Sequence, residues 1–270
     1  MELGLRGRAC VITGASRGIG RTTARMLCAE GANVMLVARS EDRLIEAADE
    51  CAAVGESAGG RAESLVANVA EPGAAEVIVR EAESRLGQLD VLVNNAGTAR
   101  WRDLDDVPDD DWYLAWELNV MAPMRLMRAA APRMRERGWG RIVNVSSTAG
   151  KRPSAFMPEY SVAKAAELSL SRLFADRFAP HGVLVNAICP GPVKSELWMD
   201  EGGLLDQSQE HGGHESREEA LDVAGSKRPI GRLAEPEEIA GAIVFLCSEH
   251  ASYTTGAAWS VDGGTVQIII

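Results

Sequence analysis

Short apolar runs alternate with longer amphipathic stretches along most of this chain. The runs fall at residues 9–12, 34–37, 65–66, 91–93, 142–145 and 183–188. Each is too short for a helix and nearly free of polar interruption, which is how strands buried on both faces read. Between them, residues 20–30, 43–54 and 74–86 repeat apolar side chains every three or four positions with charges between, the spacing of helices that bury one face. Strand and helix in alternation predict a doubly wound α/β fold of Rossmann type, a parallel sheet flanked by helices on both faces. No internal repeat and no linker rich in Pro, Gly or Ser divides the sequence, so a single domain over residues 1–270 is expected. One stretch breaks the rhythm. Residues 201–217 are polar, charged and glycine-bearing, and too long for an ordinary connection. They predict a mobile substrate flap at about residues 192–227, because ligands of such sheets bind beyond the carboxyl ends of the strands.

Composition narrows the partners. The 28 Lys and Arg are outnumbered by 39 Asp and Glu, a formal charge of −11, which argues against a nucleic-acid or anionic-membrane surface. No apolar run approaches the roughly 20 residues of a membrane helix. The opening Met1-Glu2-Leu3-Gly4-Leu5-Arg6 lacks the apolar core of a signal peptide, so a soluble, cytoplasmic protein is expected. Five cysteines, Cys10, Cys28, Cys51, Cys189 and Cys247, stand singly among apolar neighbours and read as buried thiols in a reducing compartment. The apolar end Gln267-Ile268-Ile269-Ile270 is expected to dock, either on its own subunit or on another.

Three features carry chemistry. The first strand runs into Thr13-Gly14-Ala15-Ser16-Arg17-Gly18-Ile19-Gly20 and then a helix, an arrangement that points helix N-terminal amides at a pyrophosphate. Gly14 permits the tight turn, while Gly18 and Gly20 allow close approach of phosphate to backbone and of helix to strand. The second strand ends in Val37-Ala38-Arg39-Ser40, with no carboxylate to meet a ribose 2′-hydroxyl. Arg39 and Arg17 instead offer two guanidinium groups to a 2′-phosphate, which predicts NADP(H), with NAD(H) as the alternative. Tyr160 and Lys164 are spaced i,i+4, on one face of a helix. A fixed ammonium there lowers the phenol's pKa from about 10 toward neutrality and makes the tyrosine a general acid or base. Ser147 closes the apolar run upstream of them. His211-Gly212-Gly213-His214, with Asp206, Glu210 and Glu215 nearby, invites a zinc reading, but two histidines in a glycine loop lack the rigid spacing of a zinc site and no metal is expected.

With these motifs in order, the chain resembles the short-chain dehydrogenase/reductase family, in its short single-domain branch, over nearly its whole length. The resemblance extends to Asn94-Asn95-Ala96-Gly97, to Leu118-Asn119-Val120, to Ser146-Ser147, to Pro190-Gly191 and to Val261-Asp262-Gly263-Gly264. It implies a catalytic set of Asn119, Ser147, Tyr160 and Lys164. In that set Ser147 bonds the substrate oxygen and Tyr160 gives it a proton as hydride arrives from the nicotinamide. Lys164 holds the ribose hydroxyls and depresses the tyrosine pKa, and Asn119 supports a water joining the lysine to solvent. It further implies a cofactor surface of Gly14, Ser16, Arg17, Gly18, Ile19, Gly20, Arg39, Asn68, Val69, Asn95, Ala96, Gly97, Tyr160, Lys164, Pro190, Gly191, Val193 and Ser195, and a sheet-holding role for Asn94. Two positions depart from the family: Asn68 stands where an aspartate usually meets the adenine, and Ser195 where a threonine often bonds the nicotinamide amide. Both keep an oxygen for the bond. Thr98, Thr148, Ala149, Phe156, Met157, Glu159 and Trp198 are candidate pocket residues.

The resemblance implies interconversion of a ketone and a secondary alcohol, with a 3-oxoacyl thioester as the favoured substrate and a sugar, polyol or steroid-like alcohol close behind. A non-catalytic dinucleotide sensor or scaffold is the rival from another class. Residues 109–137 and the helix at 160–178 are expected to pair across a two-fold axis, giving a homotetramer or homodimer.

Overall fold

A computed structural model of the chain describes residues 2–267, so Met1 and the isoleucines at 268–270 lie outside it. In chain order the main elements are β1 (Ala9–Thr13), α1 (Gly18–Ala29), β2 (Asn33–Ala38), α2 (Glu41–Gly55), β3 (Arg61–Val66), α3 (Ala74–Leu86) and β4 (Val91–Asn94). There follow α4 (Asp109–Trp116), a π-helical turn (Glu117–Met121), α5 (Ala122–Glu136), β5 (Gly140–Val145), α6 (Pro158–Phe178) and β6 (Val183–Pro190). The chain continues through α7 (Glu196–Met199), α8 (Leu204–Gly212), α9 (Arg217–Ser226), α10 (Pro236–Cys247) and β7 (Ala258–Val261).

The strands form one seven-stranded sheet in the order β3-β2-β1-β4-β5-β6-β7. Every pairing is parallel. Alternate side chains of each strand leave on opposite faces. Cys10, Ile12, Val34, Leu36, Val91, Val93, Val143 and Val145 pack with α1, α2 and α10. Val11, Met35, Val37, Leu92 and Ile142 pack with α3, α5 and α6. The sheet is thus covered on both sides, and the core strands are apolar at every position for that reason.

The two edges differ from the sequence expectation. β3 extends back to Arg61 and is half-exposed along its length, because it has a neighbour on one side only. β7 was no part of the expected sheet; its four residues, Ala-Trp-Ser-Val, close the opposite edge. The polar stretch 201–217 holds α8, which buries Leu204, Leu205 and Ser208.

Strand order reverses between β1 and β4, which opens a crevice at their carboxyl ends. Side-chain amides stitch that point. Asn95 donates through Nδ2 to the carbonyls of Thr13 (3.0 Å) and Gly14 (3.1 Å), while Thr13 Oγ1 accepts from the backbone amides of Asn95 (3.0 Å) and Ala96 (3.1 Å). Deeper in the sheet, Asn94 Nδ2 donates to Asn144 Oδ1 and Asn144 Nδ2 to Ser171 Oγ, each at 2.7 Å, a buried ladder tying β4 and β5 to α6. The excursion after β6 is pinched at its base. Val193 and Ala234 form a parallel bridge, with Lys194 N donating to Ala234 O (2.8 Å) and Ala234 N to Pro192 O (3.0 Å).

All five cysteines are buried and unpaired. Burial pushes the thiols of Cys189 and Cys247 up to about 11 and about 12. Among the described residues no helix is long and apolar enough to cross a membrane.

Candidate active site

The crevice at the switch point opens into a cavity of ≈1480 Å³. Single small-ligand sites occupy roughly 300–1,000 Å³, so this one has room for a dinucleotide and a small substrate together. Its wall gathers Gly14, Ser16, Arg17, Gly18, Ile19, Arg39, Asn68, Val69, Asn95, Ala96, Gly97, Ser147, Tyr160, Lys164, Pro190, Gly191, Val193 and Ser195. Of the residues expected at the cofactor or in the catalytic set, Gly20 and Asn119 lie behind the wall.

The glycine turn is built for close approach. Gly14 has φ +64°, in the left-handed region. Gly20 sits where α1 meets the end of β1: a Cβ there would stand 2.4 Å from Asn95 Nδ2 and 2.5 Å from Gly14 O. Its hydrogen therefore lets the helix N-terminus close on the strand and face the cavity. The wall beside this turn holds Val37, Ala38, Ser40 and three arginines, Arg17, Arg39 and Arg43. The only acidic residue in the described wall is Glu196, in α7, so a 2′-phosphate near the arginines meets cations. Arg43 was not foreseen, although it lies four residues past Arg39 in the first turn of α2. Arg17 Nη1 also lies 3.4 Å from Asp200 Oδ2, joining the cofactor turn to the excursion. These features fit a phosphorylated dinucleotide.

At the other end, β5 and α6 bring Ser147, Tyr160 and Lys164 to the wall. Ser147 Oγ accepts from Ala149 N at 3.1 Å, which occupies a lone pair and leaves the hydroxyl hydrogen for another acceptor. Tyr160 stands half-buried in the first turn of α6. Lys164, one turn on, is 3% exposed and places Nζ 5.7 Å from the centroid of the Tyr160 ring. Nζ donates to Val145 O and to Glu167 Oε2, both at 2.9 Å. Burial by itself favours the neutral amine, but the carboxylate of Glu167 and the nearby Tyr160 more than offset it, and the lysine's pKa rises. Glu167 is another residue the sequence did not reveal.

Asn119 lies in the π-helical turn and is buried. Its Nδ2 donates to Ala115 O at 2.9 Å, while Oδ1 is buried without a partner. A Cβ built on Gly97 would be 3.2 Å from that oxygen and 3.8 Å from Lys164 Nζ, so Asn119 Oδ1 lies directly behind the part of the wall made by Gly97 and Lys164. An open acceptor beside an ammonium is a suitable place for a water.

The wall also includes the expected pocket candidates Thr98, Thr148, Ala149, Phe156, Met157 and Trp198, together with Trp101, Arg152, Leu204, Ser208 and Arg228, which were not expected. Trp101 stacks on Phe156 with centroids 5.0 Å apart, and its backbone amide donates to Gln207 Oε1 of α8 at 2.8 Å. Glu159 is a correction. It is buried with Oε2 unpaired and is absent from the wall, because a residue next to Tyr160 on a helix points about 100° away. Among the described residues no group of three or more His, Cys, Asp or Glu is placed to hold a metal, and His211 Nδ1 instead lies 2.8 Å from Gln207 O.

Comparison with known proteins gives concordant results. A family model described as enoyl-(acyl carrier protein) reductase matches residues 14–266. The short-chain reductase protein NovJ of Streptomyces niveus is 38% identical over 94% of this chain and 92% of its own. The 3-oxoacyl-[acyl-carrier-protein] reductase FabG of Salmonella typhimurium is 32% identical over 98% of this chain and 100% of its own. Among solved structures, L-sorbose reductase from Gluconobacter frateurii, complexed with NADPH and L-sorbose, superposes with a TM-score of 0.90 at 37% identity over 100% of both chains.

Proposed function

This chain belongs to the short-chain dehydrogenase/reductase family, and on that premise we propose that it is an NADP(H)-dependent enzyme interconverting a ketone and a secondary alcohol, with Tyr160 as general acid and base. One observation carries the reading: Ser147, Tyr160 and a buried, charged Lys164 share a wall with the glycine turn and three arginines. A dinucleotide sensor would need the turn and not the proton-transfer groups.

The amides opening α1 would hold the pyrophosphate, Arg17, Arg39 and Arg43 the 2′-phosphate, and Lys164 the ribose hydroxyls. Bound there, the nicotinamide supplies or accepts hydride. The protein's own residues manage the proton. Ser147 donates its free hydroxyl hydrogen to the carbonyl oxygen and fixes it beside Tyr160. Tyr160 gives that oxygen its proton, and the phenolate left behind is stabilised by the Lys164 ammonium. A water on Asn119 Oδ1 returns a proton from solvent. In oxidation each transfer runs backwards.

For the substrate we propose a 3-oxoacyl thioester first, in line with the FabG relative. A polyhydroxy ketone is the second reading, favoured by the 37% identity to an L-sorbose reductase across the whole chain. Oxidation of NADPH followed with a 3-oxoacyl thioester and with L-sorbose separates them. If no ketone in a broad panel consumes NADPH or NADH, the oxidoreductase reading fails.

The same proposal includes a two-fold assembly, dimer or tetramer. Tyr113 (72% exposed) and Trp116 on α4, with Val162 and Leu173 (67% exposed) on the adjoining α6, put large apolar side chains in solvent. Light scattering on the purified protein should give a multiple of the 28.8 kDa chain mass, and a monomer at micromolar concentration would refute the assembly.

A further inference from the structure

Among the described residues Glu167 is the acidic side chain that touches the Lys164 ammonium, whereas Glu159, the other buried acid near the pair, sits beside Tyr160 in sequence with no bond to either group. Glu167 is 2% exposed, and Oε2 lies 2.9 Å from Lys164 Nζ. Its backbone is fixed as firmly as its side chain. Ser171 Oγ donates to Glu167 O at 2.9 Å, and Ser171 is in turn the end of the buried ladder from Asn94 and Asn144. Glu167 is thus anchored to the two strands whose ends form the site.

An ammonium has three N–H donors. Val145 O and Glu167 Oε2 occupy two of those on Lys164, which leaves one. The carboxylate therefore does two things at once. It fixes where the remaining donor points, and it cancels much of the positive charge that Tyr160 would otherwise feel.

We propose that Glu167 is a positioning residue of the catalytic pair, holding the Lys164 ammonium in place and setting the pH at which the Tyr160–Lys164 pair gives up its first proton. The inference rests on the reading of Tyr160 as proton donor. Two other groups bear on the pair. Ser146, just past β5, is uncharged and donates its hydroxyl to Lys164 O at 3.1 Å, while Cys189, from β6, has its thiol pushed up to about 11 by burial and stays neutral over the working range. Glu167 itself is raised by burial, against which the Lys164 ammonium pulls it down, and the 2.9 Å contact between Oε2 and Nζ is the geometry of an ion pair.

The sign follows from charge alone. With Glu167 ionised, lysine and glutamate sum to zero, and proton loss leaves a net negative charge in a buried site. With Gln in its place the site begins at plus one and loses its proton to reach zero, which is easier whether the proton leaves the phenol or the ammonium. Ketone reduction needs the phenolic proton present, so its alkaline limb moves to lower pH. Alcohol oxidation needs it absent, so its acid limb moves the same way.

The test compares Glu167→Gln with the wild type in the full chain with NADP(H). Both kcat/KM limbs are expected to shift down by about one pH unit. Tyrosinate absorbance, with Tyr160→Phe as the blank for Tyr113 and Tyr253, follows the same ionisation without turnover. A carboxylate that served packing alone would lower the melting temperature and leave both limbs and the absorbance midpoint where they were, which overturns the proposal. Should Glu167→Gln fail to accumulate folded, carbon-13 NMR of the glutamate carboxyls in the wild type, with Glu167→Asp to identify the signal, gives the answer. An ionised Glu167 near pH 7 supports the proposal and a protonated one ends it. If the limbs stay in place while Tyr160→Phe is inactive, only the role of Glu167 falls; an active Tyr160→Phe enzyme removes the mechanism beneath it.

Discussion

Tyr160→Phe is expected to lower kcat/KM for ketone reduction by about 10²–10⁴-fold while NADPH still binds within a few-fold of the wild type. The substitution removes a single oxygen. The ring keeps its place on α6 beside Lys164, whose Nζ is 5.7 Å from its centroid, and the Lys164–Glu167 pair is untouched. Ser147 can still polarise the carbonyl, which is why some activity should survive. What is lost is a donor that delivers a proton as the carbonyl oxygen becomes an alkoxide, and water has no fixed position from which to replace it. Steady-state rates paired with a fluorescence titration of NADPH separate the two effects. A variant that turns over at near wild-type rate would mean that the proton comes from elsewhere.

Arg39→Asp should reverse the cofactor preference, with kcat/KM for NADPH falling by about 100-fold and that for NADH unchanged or higher. A charged hydrogen bond to phosphate is worth about 1.5–3 kcal/mol, and the substitution also sets a carboxylate against the dianion. The surroundings make the loss local. Arg17 and Arg43 remain in the same stretch of wall, so some NADPH affinity persists, and the new carboxylate can instead accept from the two ribose hydroxyls of NADH. The measurement is kcat/KM with each cofactor at one ketone concentration series. An unchanged preference for NADPH would assign the 2′-phosphate to other residues.

The central strands were legible because both faces of each are covered. Residues such as Cys10, Val11 and Ile12 have no solvent side, and an unbroken apolar run is the consequence. The edges lost that signal for the same physical reason. Arg61–Val66 and Ala258–Val261 each have one bonded neighbour and mixed exposure, so polar residues are tolerated and the runs look broken. In α8 and α9 the apolar content is thin, and their helical character is set by what they cover. At the site, the residues fixed by backbone chemistry were readable: glycines at a turn, a tyrosine and lysine one helical turn apart. Glu167 was not. An acid three residues after a lysine reads as a solvated surface pair, and only the packing of α6 against β5 and β6 puts both charges out of water. Arg43 reaches the wall from the first turn of α2, and Trp101 and Arg228 from connections between elements, placements that no local periodicity encodes.

The pinch between Val193 and Ala234 has an evolutionary corollary. Because the two ends of the excursion are already held together, the entropy of closing it depends only weakly on how many residues lie between. Helices there can be lengthened, shortened or exchanged with little penalty to the sheet. On the proposed reading selectivity and reactivity become partly separable: the insert, which lends Trp198, Leu204, Ser208 and Arg228 to the cavity wall, can vary while the strands that carry the proton-transfer groups stay fixed.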